Sequence, residues 1–170
     1  GRFMAQARAS DYWNNTVFVI TADHNLGGKQ LNRLELTKIP LLILVPGDPT
    51  FPTNRQVETL GSQIDVAPTV LALLKARGEG AFVGQDLLQP AEHRQAFFAW
   101  GSLAGWMNEQ VFLMHDQSKP LAAFLWPDDP GLRHNILTTD ARAQQAVRDF
   151  EAYLQTVNNL MLDSRVVPLR

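Results

Sequence analysis

The residues best suited to chemistry are an adjacent carboxylate and imidazole, Asp23 and His24, which close a short apolar, β-branched run. Together they suit a divalent ion that tolerates nitrogen, because imidazole favours manganese, zinc or iron over the all-oxygen shells that calcium prefers. Successive residues of a regular strand point to opposite faces, so the two reach one ion only where the backbone leaves strand geometry. Asn25 to Gly28, with its Gly27-Gly28 pair, offers a turn at that point. A bare pair of this kind also has a structural reading, as a capping carboxylate beside a hydrogen-bonded histidine. Lys29 and Arg33 follow in the same loop, where they could draw in an anionic ester group by charge steering and charge-assisted hydrogen bonds, or simply be solvated. Asp65 resembles a further carboxylate for the site, but its place at a helix start gives it a complete role as a cap.

The remaining polar candidates carry less. His93, His115 and His134 lack a partner acid at ligand spacing and read as surface or strand-end histidines. Trp100, Trp106 and Trp126 could line a groove for a glycan or lipid headgroup, although packing between a small sheet and a helix is the simpler expectation. Thr16, Thr21 and Thr69 read as strand or helix-start residues, not as nucleophiles.

The elements that must hold Asp23 and His24 follow from periodicity. Phe3 to Trp13 has helical spacing. Thr16 to Thr21 is a nearly all-apolar run of the kind found in a parallel strand covered on both faces, and Open α/β sheets place their sites at such strand ends. Ile39 to Val45 predicts a second buried strand, with Pro40 at its start or on an edge. Asp65 opens a helix that runs to Gly78. Beyond residue 90 the character changes: Ala96–Trp100, Val111–His115 and Leu121–Trp126 predict antiparallel strands, the last two joined by a hairpin over Asp116 to Pro120. Val147, Phe150, Leu154, Val157 and Met161 step by three and four, predicting a long amphipathic helix that opens near Thr139-Asp140 and covers the small sheet. The expected organisation is an α/β core segment over residues 1–90 and a small antiparallel sheet with a terminal helix over 91–170.

Composition narrows the classes. With 170 residues and 45% hydrophobic content the chain can bury a core of its own. A net charge of −2 without a basic block argues against a nucleic-acid partner, and the absence of cysteine excludes disulfides and thiolate zinc sites. No apolar run reaches membrane-spanning length. The start at Gly1-Arg2-Phe3, directly before a core strand, suggests a piece of something longer.

Several segments together resemble one family. Thr16 to His24 is similar to the strand and metal-ligand segment of the sulfatase and lipoteichoic-acid-synthase-like branch of the alkaline phosphatase superfamily. Ile39 to Ile43 with Pro46, Ser62 to Thr69, Phe82 to Leu88, and Asp129-Pro130 followed by Asn135-Ile136 resemble later segments of that family in the same order. Leu132 departs from the pattern, standing where the family often has an acid. The resemblance implies the carboxy-terminal part of an alkaline-phosphatase-like sandwich. It implies Asp23 and His24 as metal ligands, with manganese or zinc preferred to calcium, and Lys29 and Arg33 near a bound sulfate or phosphate ester, carried on a lipid or glycan headgroup or a similar group. The implied reaction is hydrolysis or phosphoglycerol-type transfer through a metal-activated threonine, serine or formylglycine that lies upstream, so the piece alone would be inactive and would need that upstream part as its partner. Such relatives are usually anchored in the bacterial inner membrane with the catalytic domain periplasmic or extracellular. The alternative class is a noncatalytic binding or structural module that kept the fold.

Overall fold

The computed structural model describes residues 1–27, 31–76, 82–116 and 118–163. Helix α1 (Arg2–Arg8) and a 3-10 turn (Trp13–Asn15) lead into β1 (Phe18–Thr21). After the loop that follows His24 come α2 (Arg33–Thr37) and β2 (Leu41–Leu44), then a 3-10 turn (Gln63–Asp65) continuous with α3 (Val66–Leu73). The second half consists of β3 (Ala96–Trp100), β4 (Leu103–Met107), β5 (Phe112–Asp116), β6 (Pro120–Phe124) and α4 (Ala141–Leu162). Among the described residues no helix is long and apolar enough to cross a membrane.

β1 and β2 form a two-stranded antiparallel sheet in the register Phe18↔Leu44 to Thr21↔Leu41. This corrects the parallel, doubly covered strand expected from the apolar run. Of β1 only Phe18 is buried, and Ile20, Leu41 and Leu42 are exposed. The loop between the strands contains its own helix and reverses the chain, so β2 returns beside β1 without a crossover. Pro40 falls just before β2 as expected, and its carbonyl accepts from the Thr21 hydroxyl at 2.8 Å.

β3 to β6 make a continuous antiparallel meander in sequence order. β4 was absent from the sequence expectation, although Gly101-Ser102 between Trp100 and Leu103 is a two-residue hairpin turn with a glycine at φ 60° in its first position. Gly105 hides β4 from hydrophobic pattern reading. It lies opposite Phe98, whose ring occupies the space a Cβ at Gly105 would fill and stacks on Phe112 at 5.2 Å.

Each face of this sheet is covered. Trp106, Leu113 and Ala123 pack with Ala143, Ala146 and Phe150 of α4, while Phe112, Met107 and Phe124 on the other face receive Leu34 from α2. Asp140 caps α4 by accepting from the Arg142 amide, as the Thr139-Asp140 signal predicted. The predicted apolar stripe is only half used. Val147 and Phe150 pack on the sheet, but Leu154 is exposed and Met161 is 67% exposed. A 22-residue helix is about 33 Å long, whereas four five-residue strands span roughly 17 Å by 15 Å, so α4 outruns the layer beneath it.

Candidate metal centre

Thr21 is the last strand residue of β1, and the chain departs from strand geometry over Ala22 and Asp23. In consequence the side chains of Asp23 and His24 converge: His24 Nε2 stands 3.5 Å from Asp23 Oδ2. The His24 amide also donates to Asp23 Oδ1 at 2.9 Å, which holds the carboxylate over its neighbour. His24 Nδ1 lies 3.0 Å from the Asn25 carbonyl, which can only accept, so Nδ1 carries the proton in the neutral ring. Nε2 then carries the lone pair, 3.5 Å from a carboxylate oxygen. Two electron-rich atoms in that arrangement repel unless a proton or a cation lies between them. Donors bound at about 2.1 Å to one ion at tetrahedral or octahedral angles stand about 3.0–3.4 Å apart, so the observed 3.5 Å is just wider than a shared divalent ion requires.

The two side chains are 72% and 87% exposed for His24 and Asp23, leaving most of a coordination sphere open. Among the described residues no third His, Cys, Asp or Glu joins them in a group that could hold a metal. Asn25, in the expected turn, and Gln63, which no local signal points to, brace the pair. Asn25 donates to the Lys38 carbonyl at 3.1 Å and accepts from the Gly27 amide, tying the turn to the end of α2. Gln63, 40 residues downstream, donates from one carboxamide nitrogen to the carbonyls of Ala22 at 3.0 Å and Asp23 at 3.1 Å. Its partners are distant in sequence, so no local pattern could reveal it.

Arg33, the first residue of α2, lays its guanidinium over the exposed Trp100 ring at 5.0 Å, linking the loop beyond Asp23 and His24 to the β3–β4 turn. That places Trp100 on the surface and not in the expected layer packing. Trp106 is buried in the core, and Trp126 donates its indole N–H to the Asn108 carbonyl. Lys29 lies outside the described residues. Asn32 caps α2 through a reciprocal box with Glu35 and also donates to the Pro130 carbonyl at 2.7 Å, so the segment that follows Asp23 and His24 is fastened to the second half of the chain.

Asp65 acts as a helix-start cap as expected, but one turn earlier than α3: it is the third residue of a reciprocal capping box with Ser62 that opens the 3-10 turn, and its side chain makes no cap bond to α3 itself. Buried, it accepts from the Ser62 amide at 2.7 Å and the Gln85 amide at 2.7 Å. Thr69, fully buried, donates to the Asp65 carbonyl and accepts from the Leu87 amide. A Cβ at Gly84 would strike the Ile64 carbonyl, so a glycine is required for this close approach. Ser62–Thr69 and Phe82–Leu88 are thus one hydrogen-bonded clasp. Burial, and then the negative charge of Asp65, push the Tyr153 hydroxyl of α4 above its ordinary value. Asp129 similarly serves its own loop: Oδ2 accepts from the amides of Arg133 and His134, and these bonds, the His134 amide first, hold the carboxyl below its ordinary value. Asn135 accepts from the Ala123 and Leu137 amides. His93 and His134 are on the surface as expected, but His115 is buried against Phe150, a strand-end residue turned inward under α4.

Comparison with known proteins gives this geometry its context. Residues 1–76 match the Sulfatase family model. A stretch of 85 residues is 34% identical to the 2,3-bisphosphoglycerate-independent phosphoglycerate mutase of Trichormus variabilis, covering 44% of this chain and 16% of that protein. A protein in the alkaline phosphatase superfamily from Vibrio parahaemolyticus superposes with TM-score 0.68 at 21% identity, over 91% of this chain and 39% of its own. The phosphonate monoester hydrolase of Agrobacterium radiobacter gives 0.65 at 20%, over 94% and 38%. BT4656, solved with its substrate D-glucosamine-2-N,6-O-disulfate, gives 0.57 at 16%, over 99% and 39%. The chain therefore spans well under half the length of the solved structures it resembles. Its first 76 residues match the Sulfatase family, and over most of its length it shares the fold of a part of the alkaline phosphatase superfamily.

Proposed function

We propose that this chain is the carboxy-terminal part of a metal-dependent sulfatase-family enzyme that hydrolyses or transfers a sulfate or phosphate ester, phosphoglycerol-type transfer included. The observation that carries the reading is the convergence of His24 Nε2 and Asp23 Oδ2 at 3.5 Å, within the segment that matches the family. A manganese- or zinc-type ion held there would supply Lewis-acid stabilisation of ester oxygens and a lowered pKa for a nucleophile. Asp23 contributes an anionic oxygen, His24 a lone pair aimed by the Asn25 carbonyl, and the open side of the pair leaves room for ligands and a nucleophile from elsewhere in a longer protein. Lys29 and Arg33 are proposed to face the anionic ester, Arg33 from its seat on Trp100.

The matched proteins' names span both ester classes, with a phosphoglycerate mutase, a phosphonate monoester hydrolase and a disulfated glucosamine substrate, and this supports the breadth of the assignment. The exposed apolar faces of β1–β2, bordered by a groove of about 1330 Å³ reaching Phe51, Val57 and Leu73, support a covering layer supplied by that longer protein. A periplasmic or extracellular catalytic domain anchored to a bacterial inner membrane is part of the same proposal.

The test is turnover of aryl sulfate, phosphate monoester and phosphodiester substrates with manganese or zinc. The 170-residue chain alone should show none, while the protein encoded by the full reading frame should turn over at least one class and lose at least a hundredfold in kcat/KM in His24→Ala. Turnover by the full-length protein that is indifferent to His24→Ala would remove this site from the reaction.

A further inference from the structure

In an extended strand successive carbonyls point in opposite directions, so no single donor group can reach two of them in a row. Gln63 Nε2 does reach two in a row, Ala22 at 3.0 Å and Asp23 at 3.1 Å, and it has the two N–H groups to serve both. These carbonyls share a side because β1 has ended at Thr21 and the backbone has turned. The same turn brings the side chains of Asp23 and His24 to one side, 3.5 Å apart at their tips. The bond pair that holds the turn is therefore also the bond pair that holds the ligands together.

Gln63 is well placed to act as a fixed post. It opens the 3-10 turn whose end residue, Asp65, is buried and held by the Ser62 and Gln85 amides, both at 2.7 Å. Thr69 locks Asp65 and Leu87 together, and Gly84 lets the second segment of the clasp close on Ile64. Ser62 further accepts from the Phe97 amide of β3. The carboxamide thus projects from one of the most hydrogen-bonded parts of the molecule onto the exposed strand end.

We propose that Gln63 is the positioning residue of the Asp23–His24 pair: by clamping the Ala22 and Asp23 carbonyls it holds the two ligands in register for one ion, and the Ser62–Thr69 and Phe82–Leu88 clasp exists in part to hold Gln63. The inference rests on the reading of Asp23 and His24 as metal ligands. Removing the clamp lets the strand end relax towards extended geometry, which swings Asp23 and His24 to opposite faces. Residues outside the coordinating set commonly govern metal affinity by a factor of about ten to a hundred.

The experiment is a manganese titration of the ¹⁵N-labelled 170-residue chain, following paramagnetic broadening of the amides, with thermal unfolding measured alongside. The wild type should broaden first at Ala22 to Asn25. Gln63→Met, which keeps the length and removes the donors, should require about ten times more manganese for the same broadening at an unchanged Tm. Equal affinity in wild type and Gln63→Met overturns the inference while leaving the ligand pair standing. Wild-type broadening that spares Ala22 to Asn25 overturns the ligand reading and the inference with it. Should Gln63→Met lower the Tm, the wild type alone decides: scalar coupling across the hydrogen bonds from the Gln63 side-chain amide to the Ala22 and Asp23 carbonyl carbons is expected, and its absence overturns the clamp.

Discussion

β2 and β5 are both short, apolar strands, yet Leu41 and Leu42 of the first face solvent while Phe112 and Leu113 of the second are fully buried. The difference is in their neighbours. β5 is flanked by β4 and β6 and lies between α4 on one face and Leu34 of α2 on the other. β2 has β1 on one side and, among the described residues, little over either face. An apolar strand supplies the potential for burial, but a second layer has to realise it. The molecule thus divides its labour: the four-stranded sheet and its helices carry the core, and the uncovered pair carries the residues suited to chemistry. Asn32 on Pro130, Leu34 in the sheet and Arg33 on Trp100 join the two.

That contrast can be broken at either end. The largest effect is expected for Phe150→Ala, which empties a fully buried position between α4, Phe97 and His115 and should cost about 3–5 kcal/mol in chemical denaturation. Leu42→Thr, at a residue 50% exposed, should cost about 1 kcal/mol or less in the same assay. A cost near that of Phe150→Ala would show β2 to be covered in solution, and the contrast between the sheets would fail. The smallest effect concerns the start of α4. The Arg142 side chain, and then its amide, hold the Asp140 carboxyl down at about 2 against an ordinary 3.8. Its contribution to the helix start is therefore complete above about pH 4 and is lost as pH falls towards 2. The protection of the Arg142 amide, its exchange rate relative to the intrinsic rate at each pH, should fall across that window, and in Asp140→Asn it should stay flat.

Local signals in the sequence located the strand that ends just before Asp23, the turn after it, the Asp140 cap and the Asp116 hairpin, because each depends on residues a few positions apart. β4 escaped because Gly105 breaks its apolar pattern, and the glycine makes sense only with the Phe98 ring of the neighbouring β3 resting on it. Asp65 was legible as a helix-start carboxylate but not as the acceptor for Gln85, 20 residues away. The Arg33–Trp100 contact and the Gln63 clamp were beyond local reading for the same reason.

By itself the sequence placed a carboxylate beside an imidazole at residues 23 and 24, a donor pair of the kind that suits a nitrogen-tolerant ion, and marked most of the elements in their order. Whether those two side chains meet was decided by tertiary structure alone. Side-chain direction at a strand end depends on where the backbone stops being extended, and here that is fixed by hydrogen bonds from a residue 40 positions downstream.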